Sequence, residues 1–120
     1  MIVIIDMKRM NIDQQNFVKN LIENSKKINS KAFTLTRCIL LAIMNYNKDG
    51  LQFRELTSLL NITDGKLKSN LDFLEEVGYI KKVQIQLDQR KLHIYLITKS
   101  GENELKKIIN WIRILANVEW

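Results

Sequence analysis

Apolar residues recur every three or four positions along most of the chain, but every second position between residues 83 and 96. A spacing of three or four places side chains on one face of a helix, whereas alternation places them on one face of a strand. The pattern therefore predicts five helices, a very short strand and a two-stranded hairpin. The helices are expected at 13–28, 34–45, 54–60, 63–77 and from 98 or 100 to nearly 120, the short strand at 51–53 and the hairpin at 79–97.

Polar caps and a glycine mark where these elements begin and end. Asp13, Thr34 and Thr63 each precede an apolar-periodic segment, where a side-chain oxygen can accept a hydrogen bond from a backbone N–H of the first turn. Gly78 stands where the helix at 63–77 must end, because glycine readily adopts the left-handed conformation found just beyond helix C-termini.

The order helix, short turn, helix and hairpin is that of a winged helix-turn-helix. In this arrangement the second helix of the pair enters the major groove of DNA, and the hairpin, or wing, contacts the backbone or the minor groove. The predicted fold class is mostly α (α+β), in one domain, since 120 residues suit a single core. Its expected parts are an N-terminal helical extension (1–32), the winged helix-turn-helix core (33–98) and a C-terminal dimerisation helix (99–120).

The net charge of +6 favours a polyanionic partner, but the excess is spread along the chain and does not by itself locate a nucleic-acid site. The apolar opening at residues 1–5 is interrupted by Asp6 and Lys8 too early for a signal peptide. No later stretch approaches the ~20 apolar residues of a membrane span. We therefore expect a cytoplasmic protein without a membrane partner.

The inventory of reactive side chains argues against an enzyme. The sequence has one cysteine, Cys38, and one histidine, His93, so it supplies neither an intrachain disulfide nor a cysteine or histidine metal cluster. It contains no glycine-rich phosphate loop and no nucleophile or metalloprotease motif. We expect no catalytic residue, no metal and no cofactor. Cys38 is expected to be a small buried hydrophobe, and a redox role for its thiol is left open.

The helix at 63–77 carries groups suited to DNA on the side opposite its leucines. Leu67, Leu71 and Leu74 form one apolar stripe. The residues opposite are small or cationic and can donate hydrogen bonds to phosphates and base edges. The predicted DNA-binding residues are Thr63 as the cap, Gly65, Lys66, Lys68, Ser69 and Asn70, with base edges assigned to Lys66, Ser69 and Asn70 and a phosphate to Lys68.

The tip of the predicted wing supplies a second set of contacts. Gln89, Arg90 and Lys91 are expected to reach the DNA backbone or a narrow minor groove, where concentrated negative potential attracts arginine. Lys81 and Lys82 at the base of the wing could add phosphate contacts.

The last helix is apolar over more than one face, which is more than a single small core needs. This surplus predicts a homodimer that places two recognition helices about one duplex turn apart on a near-palindromic site. The predicted dimerisation residues are Phe17, Leu21, Leu105, Ile108, Trp111, Ile112 and Leu115.

The segments LTSLLNITDGKLKSNLDFLEEVGYIKK and YLITKSG resemble the winged-helix transcriptional regulators of the MarR/ArsR/PadR kind, above all a small prokaryotic, often archaeal, group. The resemblance covers roughly residues 35–110. It implies a dimeric DNA-binding repressor or activator but no particular operator or effector. Lys66 and Asn70 stand where that group often has asparagine and histidine, which implies a different base preference.

Two alternatives stay open at this point. Winged helices also serve as protein-interaction modules without DNA binding, and the acidic residues Asp72, Glu75 and Glu76 are compatible with that function. A small-molecule effector bound at the dimer interface would refine the DNA-binding interpretation, but no convergent polar groups in the sequence identify a ligand.

Overall fold

Residues 9–120, the part of the chain that the computed structural model describes, contain five helices and one antiparallel hairpin. The apolar opening at residues 1–5 lies outside the described residues. The observed order confirms the predicted mostly α winged helix-turn-helix. The elements are α1 (Ile12–Ser25), α2 (Leu35–Tyr46), α3 (Phe53–Leu60), α4 (Asp64–Glu76), β1 (Ile80–Leu87), β2 (Arg90–Ile97) and α5 (Lys99–Leu115).

Two of the predicted helix caps are confirmed and one is wrong. The hydroxyls of Thr34 and Thr63 each accept a hydrogen bond, at 3.2 Å, from the backbone N–H of the third helical residue. Helix α1, however, is capped by Asn11 and not by Asp13. Asn11 and Gln14 bond reciprocally to each other's backbone N–H, at 2.8 and 3.0 Å, so two otherwise unpaired donors are satisfied instead of one.

Other boundaries also differ from the sequence prediction. Helix α1 ends at Ser25, whose hydroxyl donates to a carbonyl of the last turn, and α5 ends at Leu115 instead of continuing towards residue 120. The short strand is reduced to Leu51, which forms an isolated bridge with Tyr95, while Phe53 already belongs to α3.

The hydrophobic core lies where α2, α3 and α4 meet the base of the hairpin. The leucine stripe of α4 is fully inside it, as its spacing predicts. Burial of each such side chain stabilises the fold by about 1.5–3 kcal/mol relative to exposure. The buried cluster comprises Leu40, Leu41, Met44, Leu51, Leu56, Leu67, Leu71, Leu74, Ile80, Tyr95 and Leu105.

The chain is elongated, with extents of 68 × 29 × 25 Å and a radius of gyration of 19.0 Å, against about 14 Å for a compact domain of this length. Helix α1 packs along α5, where the indole Nε1 of Trp111 donates to the Leu21 carbonyl at 3.1 Å. We call α1 together with α5 the arm, and α2, α3, α4 and the hairpin the lobe.

The first turns of α5 are clamped onto Tyr79, which links α4 to β1. The Thr98 N–H donates to the Tyr79 carbonyl, and a Cβ added to Gly101 would lie only 2.1 Å from that carbonyl oxygen. The phenol of Tyr79 donates to Glu104 Oε1 at 3.1 Å, and the Asn29 N–H donates to Glu104 Oε2 at 2.9 Å. The arm is thereby tied to the end of α4 and to the beginning of the wing.

Burial is the main cause that raises the pKa of Tyr79, and the nearby Glu104 carboxylate acts in the same direction. The phenol therefore stays protonated at neutral pH and remains a hydrogen-bond donor. Its acceptor, Glu104, has only 3% of its surface exposed.

Candidate nucleic-acid interface

The outer face of the first two turns of α4 is open to solvent and cationic. Lys66, Lys68 and Ser69 are all exposed there, opposite the buried leucines. Gly65 lies on the same side, and a Cβ added to it would meet nothing within 4 Å. The structure thus brings these four predicted DNA-binding residues together on one exposed side of α4 that a phosphate backbone can approach.

Two residues of this surface have partners within the chain. The Thr63 hydroxyl is occupied by capping α4, so this side chain contributes by starting the helix. Lys68 pairs with Asp72 one turn away, at 3.1 Å, and both side chains are exposed. An exposed ion pair of this kind contributes little to stability, so a phosphate can compete for the lysine.

Asn70 does not belong to the outer face as the sequence suggested. Its side-chain oxygen accepts a hydrogen bond from Arg37 Nε at 2.9 Å, and its Nδ2 donates to the Lys66 carbonyl at 2.8 Å. The amide is half-buried between α4 and α2. The structure therefore shows the Asn70 side chain bonded to α2 and to the backbone of α4.

The two-residue turn of the wing is formed by Asp88 and Gln89, both with positive φ (49° and 70°), as the tightest hairpins require. Arg90 consequently begins β2 opposite Leu87 and is not part of the turn. Because successive strand residues point to opposite faces, Arg90 and Lys91 lie on different faces of the wing.

One face of the wing is polar and lies on the same side as α4. Tyr95, at the base of this face, is close enough to α4 that Glu75, Asp72 and Lys68 all influence it. Its pKa is raised, first by burial and then by the charge of Glu75. Every second residue of each strand lies on the same face as Tyr95, and these residues continue the face towards the tip. We name this set the polar wing face: Lys82, Gln84, Gln86, Lys91 and His93.

Of the wing residues singled out at the tip by sequence, only Lys91 belongs to the polar wing face. Gln84, Gln86 and His93 were missed, because alternation separates the two faces of a hairpin without showing which of them lies beside α4. The opposite face exposes Ile85 and Leu87 in addition to Arg90.

The predicted dimerisation residues fall into three groups: buried, half-buried and exposed. Leu105 and Ile108 are only 6% and 1% exposed within the single chain, so they leave little surface for a second copy. They face inward because the first half of α5 covers the lobe. Trp111, Phe17 and Leu21 are half-buried between α1 and α5. The exposed apolar residues of the arm and the segment after it are Ile12, Ile22, Ile109, Ile112, Leu115, Val118 and Trp120.

Cys38 is half-buried in α2. Burial, and secondarily the negative charge of Glu104, raise the pKa of its thiol. The thiolate, which is the reactive form, is therefore disfavoured at neutral pH.

Among residues 9–120, no helix combines the length and the apolar character needed to cross a membrane.

Two helices joined by a short turn, α3 and α4, followed by the two-stranded wing, define a winged helix-turn-helix protein. The chain matches the family model described as "Winged helix DNA-binding domain" over residues 36–115, and it belongs to that family. It is accordingly a winged-helix DNA-binding protein. A search of curated protein sequences finds no significant match.

Solved structures share the fold at low sequence identity. A transcriptional regulator homologue from Pyrococcus horikoshii OT3 aligns with a TM-score of 0.68 and 19% identity, covering 85% of this chain and 95% of its own. MarR from E. coli, in its apo form, aligns with a TM-score of 0.62 and 18% identity, covering 98% of this chain and 88% of its own. A MepR variant from S. aureus bound to an oligodeoxyribonucleotide aligns with a TM-score of 0.59 and 18% identity, covering 92% of this chain and 86% of its own.

Proposed function

We propose that the protein is a homodimer that regulates transcription by binding double-stranded DNA in a sequence-specific manner. Helix α4 enters the major groove, and the wing follows the backbone or the adjacent minor groove. The observation that carries this proposal is the exposed cationic face of α4 beside the polar wing face. Each of them carries donors suited to a polyanion.

Each contact in this proposal has a physical basis. Lys66 and Ser69 point outward from the first turns of α4 and donate to base edges, while Lys68 contacts a phosphate. Gly65 lets the sugar–phosphate backbone come close, because it presents no side chain. At the wing, Gln89 in the turn and Lys91 on the polar wing face contact phosphates or the minor groove, and Arg90, next to the turn on the opposite face, contacts the backbone from the tip.

The dimer is supported by the apolar surface of the arm. Ile112 is 47% exposed and Ile12 70% exposed, although both lie on helices that already pack against each other. A second copy, placed on the arm by a twofold axis, removes such side chains from water. The two α4 helices then face successive major grooves about 34 Å apart.

The proposal is tested by fluorescence anisotropy with a labelled random-sequence duplex over a series of salt concentrations. Binding should weaken steeply, because each phosphate contact lowers the slope of log K against log salt by about 0.9. Failure to bind even at low salt would contradict DNA binding. It would favour the protein-interaction alternative, for which the exposed acids Asp72, Glu75 and Glu76 in the second half of α4 provide a surface.

Replacing Ile112 by glutamate is expected to convert the dimer into a monomer, since a charge would be buried in the proposed interface without a partner. Sedimentation velocity at micromolar concentration measures the change. Leu59→Glu is the matched control, because Leu59 is 63% exposed on α3 and outside the arm. A monomeric wild-type protein, or an Ile112→Glu variant that remains dimeric, would refute this interface.

A small-molecule effector stays a prediction. A hollow of about 490 Å³ at the outer end of the arm lies between α1 and residues 117–119, with apolar walls from Phe17, Val18 and Val118. The carboxylates of Asp13 and Glu119 also line it, but no polar side chain there identifies a ligand class.

A further inference from the structure

Arg37, in the first turn of α2, reaches across to the recognition helix. Its Nε donates to Asn70 Oδ1 at 2.9 Å, and its guanidinium carbon lies 3.9 Å from the centroid of the Phe73 ring. Its Nη1 also donates to the carbonyl of Lys31, in the connection between α1 and α2. One planar side chain therefore joins α4 both to α2 and to the segment that precedes it.

The position of Arg37 is electrostatically unfavourable in isolation. A cation in the first turn opposes the helix dipole, and the first turn of α2 contains no acidic residue to offset it. None of the ion pairs formed among residues 9–120 involves Arg37. The guanidinium is instead held by an amide, a carbonyl and an aromatic ring. These contacts use the planar shape and the several N–H donors of the guanidinium, and none of them neutralises its charge.

Both partners of Arg37 on α4 support the half of the helix that faces DNA. Asn70 and Phe73 are three residues apart and share one side of α4. Asn70 in turn donates to the Lys66 carbonyl at 2.8 Å, so the hydrogen bonds run from Arg37 to the backbone of the residue assigned to a base edge. Rotation of α4 about its own axis would break this arrangement.

We propose that Arg37 is a positioning residue for sequence recognition: it fixes the rotation of α4, and thereby the direction of Lys66 and Ser69, without contacting DNA. This inference rests on the proposed function. Recognition contacts have to be held within about 10–20° of their productive geometry, so a modest rotation is enough to lose a base contact. Phosphate contacts tolerate such a change better, because they are spread over a repeating backbone.

The test compares wild-type protein with Arg37→Gln and Arg37→Lys on two duplexes. One duplex is a random 30-base-pair sequence, and the other is enriched from a random library by selection with the wild-type protein. Both variants should lose about tenfold in affinity for the selected duplex and less than about twofold for the random one. The slope of log K against log salt should not change, since no phosphate contact is removed.

Arg37→Lys separates positioning from a direct phosphate contact, because lysine keeps the charge but cannot both stack on Phe73 and bond Asn70 through a planar group. A double-mutant cycle of Arg37→Gln with Asn70→Ala should be non-additive in affinity for the selected duplex, because both changes break the same contact. Lys27→Gln, in the turn just after α1, is the control for loss of one positive charge. Thermal unfolding establishes that all variants are folded at the assay temperature.

Several outcomes would overturn the inference. An equal loss on both duplexes with a slope smaller by about 0.9, rescued by Arg37→Lys, would show that Arg37 contacts a phosphate. Additivity with Asn70→Ala, or unchanged affinity for the selected duplex, would also refute a positioning role. If the wild-type protein binds neither duplex, the proposed function fails and this inference fails with it.

Discussion

Replacing Lys66 and Arg90 together by glutamate should weaken binding to a random-sequence duplex by at least about 100-fold at low salt and flatten the salt dependence by about 2 in slope. Both residues are exposed, one on α4 and one near the wing tip, so each reversal places an anion against the phosphate backbone. Anisotropy titrations measure the effect.

The loss would not reflect unfolding. Lys66 is the third residue of α4, where a glutamate interacts favourably with the positive end of the helix dipole. The control Lys27→Glu with Lys106→Glu lowers the net charge by the same four units, from +6 to +2, using one exposed lysine just after α1 and one on α5. Equal weakening in this control would mean that overall charge, and not the α4 and wing surface, governs binding.

Gly101→Ala should destabilise the protein by about 3 kcal/mol, because a methyl group there would lie 2.1 Å from the Tyr79 carbonyl oxygen. The clash is with backbone, so relief requires α5 to move away from Tyr79 and to strain the hydrogen bond that Glu104 accepts from the phenol. Urea denaturation measures the change in the free energy of unfolding.

Gly65→Ala is the matched control, because it makes the same glycine-to-alanine change in a helix at a position where no clash is expected. Its new methyl group meets nothing within 4 Å, and alanine is a better helix former by up to about 1 kcal/mol, so this variant should be more stable than wild type. If both substitutions changed stability by similar amounts in the same direction, helix propensity and not the approach to Tyr79 would explain the result.

The recognition helix was the part of the molecule most fully predictable from sequence. The spacing of Leu67, Leu71 and Leu74 defined its buried side, Thr63 defined its start, and the observed helix runs from Asp64 to Glu76. These properties depend on interactions within a few residues, which local pattern records directly.

The surroundings of other residues depend on which distant element lies beside them, and local sequence pattern does not record that. Asn70 lies on one flank of α4 by helical spacing, and Arg37, 33 residues earlier, binds its amide. Leu105 and Ile108 have apolar neighbours on α5, but periodicity could not show that the lobe already covers them. The unusual cation in the first turn of α2 was the one sequence signal that pointed to Arg37.

The packing of α1 against α5 also has a consequence for the order of folding. The bonds from Trp111 to Leu21 and from Asn110 to Asn24 span 90 and 86 residues, whereas the bond from Arg37 to Asn70 spans 33. Closing the longer loop costs about 0.9 kcal/mol more in chain entropy, so the lobe should form before the arm. A partly folded chain would then already present α4 and the wing while lacking the surface proposed for self-association, which makes assembly a late, concentration-dependent step.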